Sequence, residues 1–268
     1  MKIKAKIQII AAMAAFGTIG AFVRYIPLGS GELALYRAVI AAAALFLWQL
    51  YTGQTIRFGQ IKKELPMIFI SGAAIGINWI LFFEAYRHTT IALATLSYYF
   101  APVIVTAASP LIFKETLPPR QVFCFVMSTL GLAMVIGVSG GGGGGDIPGI
   151  LFGLGAAFFY ASVVLLNKSI RNVPGLNRTF LQFTGAIAVL APYVALKEGF
   201  HLTDLSAAGA VNLLVVGIFH TGICYTMYFS SLRYLKGQEA SILSYIDLWW
   251  PCASRWPSWV SPSVLCRL

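Results

Sequence analysis

Apolar residues in this chain run on for about twenty positions at a time, and polar residues collect in short clusters between the runs. A run of that length crosses the ~30 Å hydrocarbon core of a bilayer as one helix. The runs predict spans over residues 7–26, 34–51, 65–86, 91–113 and 121–138, then 147–167, 179–196, 207–232 and a ninth starting near Gln238. Between the two sets lie the consecutive glycines 140–145, which neither helix nor strand tolerates, so they read as a linker. The expected organisation is a five-helix half at 1–138, a linker at 139–146 and a second half at 147–268.

Composition removes the soluble alternatives. Hydrophobic residues make up 58% of the chain and charged residues 10%, and mean hydropathy is +0.79. A soluble domain carries about 25% charged residues, so too few are present to build a water-facing surface. The net charge of +10 would suggest nucleic acid in a soluble protein. Here it orients the chain instead. With the N-terminus in the cytoplasm, thirteen of the nineteen Lys and Arg residues fall on the cytoplasmic side, among them Lys2, Lys4, Lys6, Lys62, Lys63, Arg120, Arg178 and Lys236. Only Arg24, Arg37, Arg87 and Lys197 fall opposite, which satisfies the positive-inside rule. The expected location is the cell membrane, multi-pass, with the first apolar run retained as a span rather than cleaved as a signal peptide.

An odd number of spans per half forces the halves into opposite orientations, the inverted-repeat plan of many secondary transporters. Alignment at an offset of 146 supports the repeat: Phe83 pairs with Phe229, Arg87 with Arg233, Ala94 with Ala240 and Tyr99 with Tyr245. The fold class expected is all-α integral membrane, an inverted repeat of two five-helix halves.

The same residues resemble the drug/metabolite transporter superfamily, specifically its EamA-like permeases. In the first half the matching pieces are Asn78-Trp79, Ala85-Tyr86-Arg87, the stretch from Ala94 through Tyr98-Tyr99 to Pro102, and Lys114-Glu115-Thr116-Leu117. In the second they are Ser231-Leu232-Arg233-Tyr234, Glu239-Ala240-Ser241 and Leu243-Ser244-Tyr245-Ile246-Asp247. The resemblance implies ten spans around a central cavity reached alternately from either side, and no particular substrate.

After Asp247 the repeat calls for Pro at 248 and Glu at 261, and the chain has Leu248 and Ser261. Residues 248–268 are too few to finish a ninth helix and add a tenth. Loss of one base explains this. Restored, the codons for Leu248-Trp249-Trp250-Pro251 read Pro-apolar-Val-Ala, and Glu becomes available at 261. About nine spans are therefore expected here against ten in a parent. A genuinely divergent C-terminus is the alternative.

Candidate substrate-cavity residues are polar or aromatic groups at membrane depth. They are Arg37, Asn78, Trp79, Tyr98, Tyr99, Pro102, Tyr160, Gln182, Tyr225, Tyr228 and Tyr245. Each has a plainer reading: interhelical hydrogen bonding for Asn78, interfacial aromatic belts for the rings, static packing for a Pro102 kink. Arg37, Glu84 and Arg87 are expected near outer helix ends, with Glu84 pairing to Arg87 or His88 at i+3 or i+4. Gly72 and Gly76 predict a close helix contact.

No catalytic residue, cofactor or metal site is expected. Cys124, Cys224, Cys252 and Cys266 lack ligand spacing, and His88, His201 and His220 stand apart. The expected partners are a small-molecule substrate and the lipid bilayer, not nucleic acid, with a homodimer left open. The function expected is a permease moving a small metabolite or drug-like molecule by alternating access. An intramembrane enzyme, a channel and an inactive truncated transporter are the rivals.

Overall fold

The computed structural model describes residues 2–53, 61–114, 119–139, 146–170 and 172–248, and these are helical throughout, joined by short turns. The elements are α1 (Lys2–Val23), α2 (Ser30–Thr52), α3 (Leu65–His88), α4 (Ile91–Tyr98), α5 (Ala101–Phe113), α6 (Pro119–Ser139), α7 (Ile147–Ser169) and α8 (Gly175–Lys197). A long span, Ala207–Leu232, comes next as α9 (Ala207–Val215), a π segment (Val216–Ile223) and α10 (Cys224–Leu232). The described chain then ends with α11 (Gly237–Ser244) and a 3-10 turn (Tyr245–Leu248). Residues 249–268, where the reading frame is in question, lie outside the described residues.

Among the described residues, seven helical stretches are long and apolar enough to cross a membrane: α1, α2, α3, Leu93–Phe113, α7, α8 and Ala207–Leu232. Helix α6, 21 residues long, stands where the fifth span is expected. Helices suit this setting because they satisfy their backbone donors and acceptors internally where no water is present. The outward side chains agree: Leu111 and Leu196 are 86% and 85% exposed, an apolar surface suited to lipid.

One expected span is broken. Residues 91–113 form two helices, because Tyr99 and Phe100 turn the chain before α5 restarts with Pro102 in its first turn. Pro102 is therefore not a mid-helix kink. Pro102 has no N–H to donate to the Tyr98 carbonyl four residues back and needs no donor in a first turn, so the helix stops ahead of it. The proline inside α5 is Pro110.

Buried small residues set the packing. Helix α3 lies against α7 and α8, α2 against α8 and the π segment, α1 against α10 and α11, and α5 against α7 and α11. At the α3–α8 crossing, a Cβ on Gly72 would overlap the Gln182 backbone carbonyl, and one on Gly185 would stand 3.1 Å from the Phe69 carbonyl oxygen. The expected close contact at Gly72 is present.

Polar groups bridge the same interfaces. Gln182 Nε2 and Asn167 Nδ2 donate to Ser71 Oγ at 2.7 and 3.2 Å, and Asn78 Nδ2 donates to the Ala156 carbonyl at 2.6 Å. Arg178, counted from sequence among the cytoplasmic loop cations, is instead fully buried. It donates to the carbonyls of Asn167, Ile170 and Phe229, tying α8 to the end of α7 and to α10.

Two pairs of helices match in length across the halves. Helices α2 and α8 both have 23 residues, and α4 and α11 both have 8. Each short helix stops just before a tyrosine, Tyr99 or Tyr245, and these stand 146 positions apart.

Candidate substrate cavity

Arg37 is the eighth residue of α2. The helix starts at Ser30 rather than at the expected position 34, so at ~1.5 Å per residue Arg37 sits about 11 Å from its start. It is not near the outer end as the sequence suggested. Its guanidinium carbon lies 3.9 Å from the centroid of the Trp79 ring on α3. The Trp79 ring stands edge-on to Tyr225 of α10, centroids 6.2 Å apart. Tyr225 in turn packs on Phe16, Phe183 and Phe229.

A second group of rings adjoins the first. Tyr98, at the end of α4, lies 5.6 Å from the Tyr160 ring of α7. Tyr160 donates its hydroxyl to Tyr228 at 3.1 Å, and Tyr228 reaches Ser244 of α11 at 3.5 Å. Tyr228 packs on Phe229, which packs on Tyr225 and so joins this group to the first. Arg37, Tyr160 and Tyr225 lie within the helix bundle and each keeps part of its surface accessible.

The structure thus brings together Arg37, Trp79, Tyr98, Tyr160, Tyr225 and Tyr228. Tyr99 and Tyr245 adjoin this group at the helix breaks. Their rings are 6.4 Å apart, and the Tyr245 hydroxyl donates to the Tyr99 carbonyl at 3.2 Å. Pro102 is buried beside that break. Two candidates lie elsewhere: Asn78 and Gln182 are 1% and 0% exposed and engaged in helix contacts, the plainer role weighed for Asn78.

Electrostatics separate Arg37 from every other charged group of the interior. Its Nε is buried without a hydrogen-bond partner, as is that of Arg178, but the Nη groups of Arg178 hold carbonyls, whereas among the described residues Arg37 has no acceptor and no paired carboxylate. The carboxylates of the neighbouring helix ends are engaged elsewhere. Glu84 takes Arg87 at 3.1 Å, His88 at 3.8 Å and the Tyr193 hydroxyl at 2.6 Å, including the i+3 and i+4 pairs that its spacing predicts. Glu32, fully buried, accepts from the His201 backbone and lies 3.3 Å from its ring. Glu198 accepts the Gly31 and Glu32 backbone N–H groups at 3.3 and 2.9 Å, capping the positive end of α2. Gly31 admits it: a Cβ there would stand 3.1 Å from the carboxylate.

Sequence reasoning missed Glu32, Glu198 and His201, which meet only when α2 and α8 pack. It also missed His220, whose Nε2 lies 3.0 Å from Thr18 Oγ1 and whose ring packs on Phe22. The glycines flanking Ser30 were the available signal for the capped helix start; none marks His220.

The model of the EamA-like transporter family matches residues 3–137 and 147–248, one match to each half. The chain belongs to the EamA-like transporter family. An uncharacterized transporter of Bacillus subtilis (strain 168), YxxF, is 30% identical over 248 residues, covering 92% of this chain and 79% of the relative. The uncharacterized transporter PA0485 of Pseudomonas aeruginosa is 24% identical over 145 residues, 54% of this chain and 47% of its own. A crystal structure described only as that of a protein superposes with a TM-score of 0.79, covering 98% of this chain and 91% of its own at 15% identity, a likeness of fold. This EamA-like chain is accordingly a multi-pass membrane protein of a transporter family.

Proposed function

We propose that this EamA-like chain is a permease that carries a small metabolite or drug-like molecule across the cell membrane by alternating access. The observation that carries this reading is the cluster of Arg37, Trp79, Tyr98, Tyr160 and Tyr225, in which Arg37, Tyr160 and Tyr225 keep accessible surface. A cavity lined by such aromatic faces and few polar groups suits a small ligand. Two halves in inverted orientation, with the N-terminus cytoplasmic, would open it to each side in turn. Supporting the repeat are the equal lengths of α4 and α11 and the contact of Tyr99 with Tyr245.

The test uses cysteine accessibility. In a background with the four native cysteines replaced by Ala, Tyr99→Cys and Tyr245→Cys are labelled from either face of sealed vesicles with an impermeant thiol reagent. Both positions are expected to react from both sides. Labelling from one side only would sink alternating access and favour a fixed channel or a closed protein.

We further propose that the reading frame changed by one lost base near codon 248. The family match ends at residue 248, where the repeat loses its proline. Sequencing codons 245–262 decides the matter: a missing base that restores Pro-apolar-Val-Ala is expected, and an intact frame overturns it. On this reading membrane accumulation and transport rise when the frame is restored.

A further inference from the structure

Most charges and polar groups buried in this bundle can be traced to a partner. Arg178 has three backbone carbonyls, Glu32 has His201, Glu198 has the start of α2, and the amides of Asn78, Asn167 and Gln182 each donate to another helix. Arg37 has the face of Trp79 and no acceptor among the described residues. A guanidinium held at membrane depth keeps its proton. Its charge there is compensated only weakly by a ring face, so a favourable position for an anion is left open beside it.

We propose that Arg37 is the anchor for a singly charged organic anion, a carboxylate whose remaining body is flat and apolar, which rests on the reading of this space as the substrate cavity. Three features select that class. The guanidinium presents a planar fork of N–H donors, which a carboxylate meets with two parallel bonds. Among the described residues one such cation stands at these rings, so one negative charge is matched and a doubly charged phosphate is not. The surrounding surface is Trp79, Tyr98, Tyr160 and Tyr225, rings that contact one another edge-on or tilted and offer faces to a flat body. No carboxylate among those side chains would receive an ammonium group, which sets a simple carboxylate above an amine.

Three probes of one shape and different charge test this: benzoate, benzamide and benzylammonium, measured by calorimetry and thermal shift on the purified full-length chain in detergent, with chloride and sulfate as inorganic controls. Benzoate is expected to bind at least tenfold more tightly than the other two. Arg37→Gln is expected to abolish that preference, and Arg37→Lys, which keeps the charge without the fork, to retain part of it. Equal binding of benzoate and benzamide, or a preference unchanged in Arg37→Gln, overturns the proposal. Stabilisation by chloride equal to that by benzoate also overturns it, since the site would then hold an inorganic counter-ion only. Should Arg37→Gln fail to fold, Arg37→Lys decides: an undiminished benzoate preference over benzamide counts against the fork, and a reduced one supports it. The outcome separates from that of the permease reading. Two-sided labelling at Tyr99→Cys without a benzoate preference leaves a carrier of another substrate class, whereas a benzoate preference with one-sided labelling leaves an anion site in a protein that does not alternate.

Discussion

Arg37 and Arg178 are both arginines drawn into the helix bundle, and they are held in opposite ways. Arg178 is 0% exposed and donates to three carbonyls on two helices. Arg37 keeps accessible surface, touches a ring face and donates to no described acceptor. Two of the carbonyls facing Arg178 belong to the end of α7, where the helix dipole already favours a cation. The first arginine is thus part of the scaffold, and the second is available to something the protein does not itself contain. Burial alone does not distinguish structure from function in a membrane protein; the state of the hydrogen-bond donors does.

The sharpest way to break this contrast is to remove the engaged arginine. Arg178→Ala strands three carbonyls, each worth about 1–3 kcal/mol when buried without a donor, so a loss of about 3 kcal/mol or more is expected. Thermal unfolding in detergent reads it, and an unchanged midpoint would show the clamp to be dispensable. Gly72→Ala comes next. Its methyl overlaps the Gln182 carbonyl and forces α3 from α8, an overpacking of about 1–3 kcal/mol in the same assay. Glu198→Gln keeps an acceptor at the start of α2 but removes the charge, and about 1 kcal/mol is expected. Raising salt should leave most of that difference in place, because the side chain of Glu198 is 7% exposed. The smallest stability effect belongs to Arg37→Gln, where loss of the ring contact is set against relief of an unpaired charge and the change stays within about 1 kcal/mol. A destabilisation of Arg37→Gln as large as that of Arg178→Ala would erase the distinction between the two arginines.

Much of this architecture was legible because hydropathy and helix length are local quantities. Seven expected spans coincide with helical stretches of membrane-crossing length, and the pairing of Glu84 with Arg87 and His88 follows from spacing alone. The features hidden from the sequence depend on chain geometry beyond one helix. Pro102 carried the right signal, an interruption, yet its place in the first turn of α5 depends on where the preceding helix stops. Arg178 looks like one more loop cation until α7 and α10 turn their carbonyls toward it. The aromatic candidates come within ring contact of one another because they are numerous and large. Asn78 and Gln182 were harder to place, since an amide suited to a ligand is equally suited to the neighbouring helix.

The π segment between Val215 and Cys224 has a consequence for angle rather than for energy. Residues Val216–Ile223 follow a π-helix, so the span holds more chain per turn there than an α-helix does, and the Thr221 hydroxyl donates to the Val216 carbonyl at 2.9 Å. Each added residue turns the remainder of the span by roughly 100° about the axis, from 3.6 residues per turn. Tyr225 and Tyr228 therefore owe their direction to a residue count upstream of them. Deleting one residue from 216–223 would rotate both rings out of phase with Trp79 and Tyr160 while leaving every side chain of the wall intact, so the shape of the space is encoded partly as rotation.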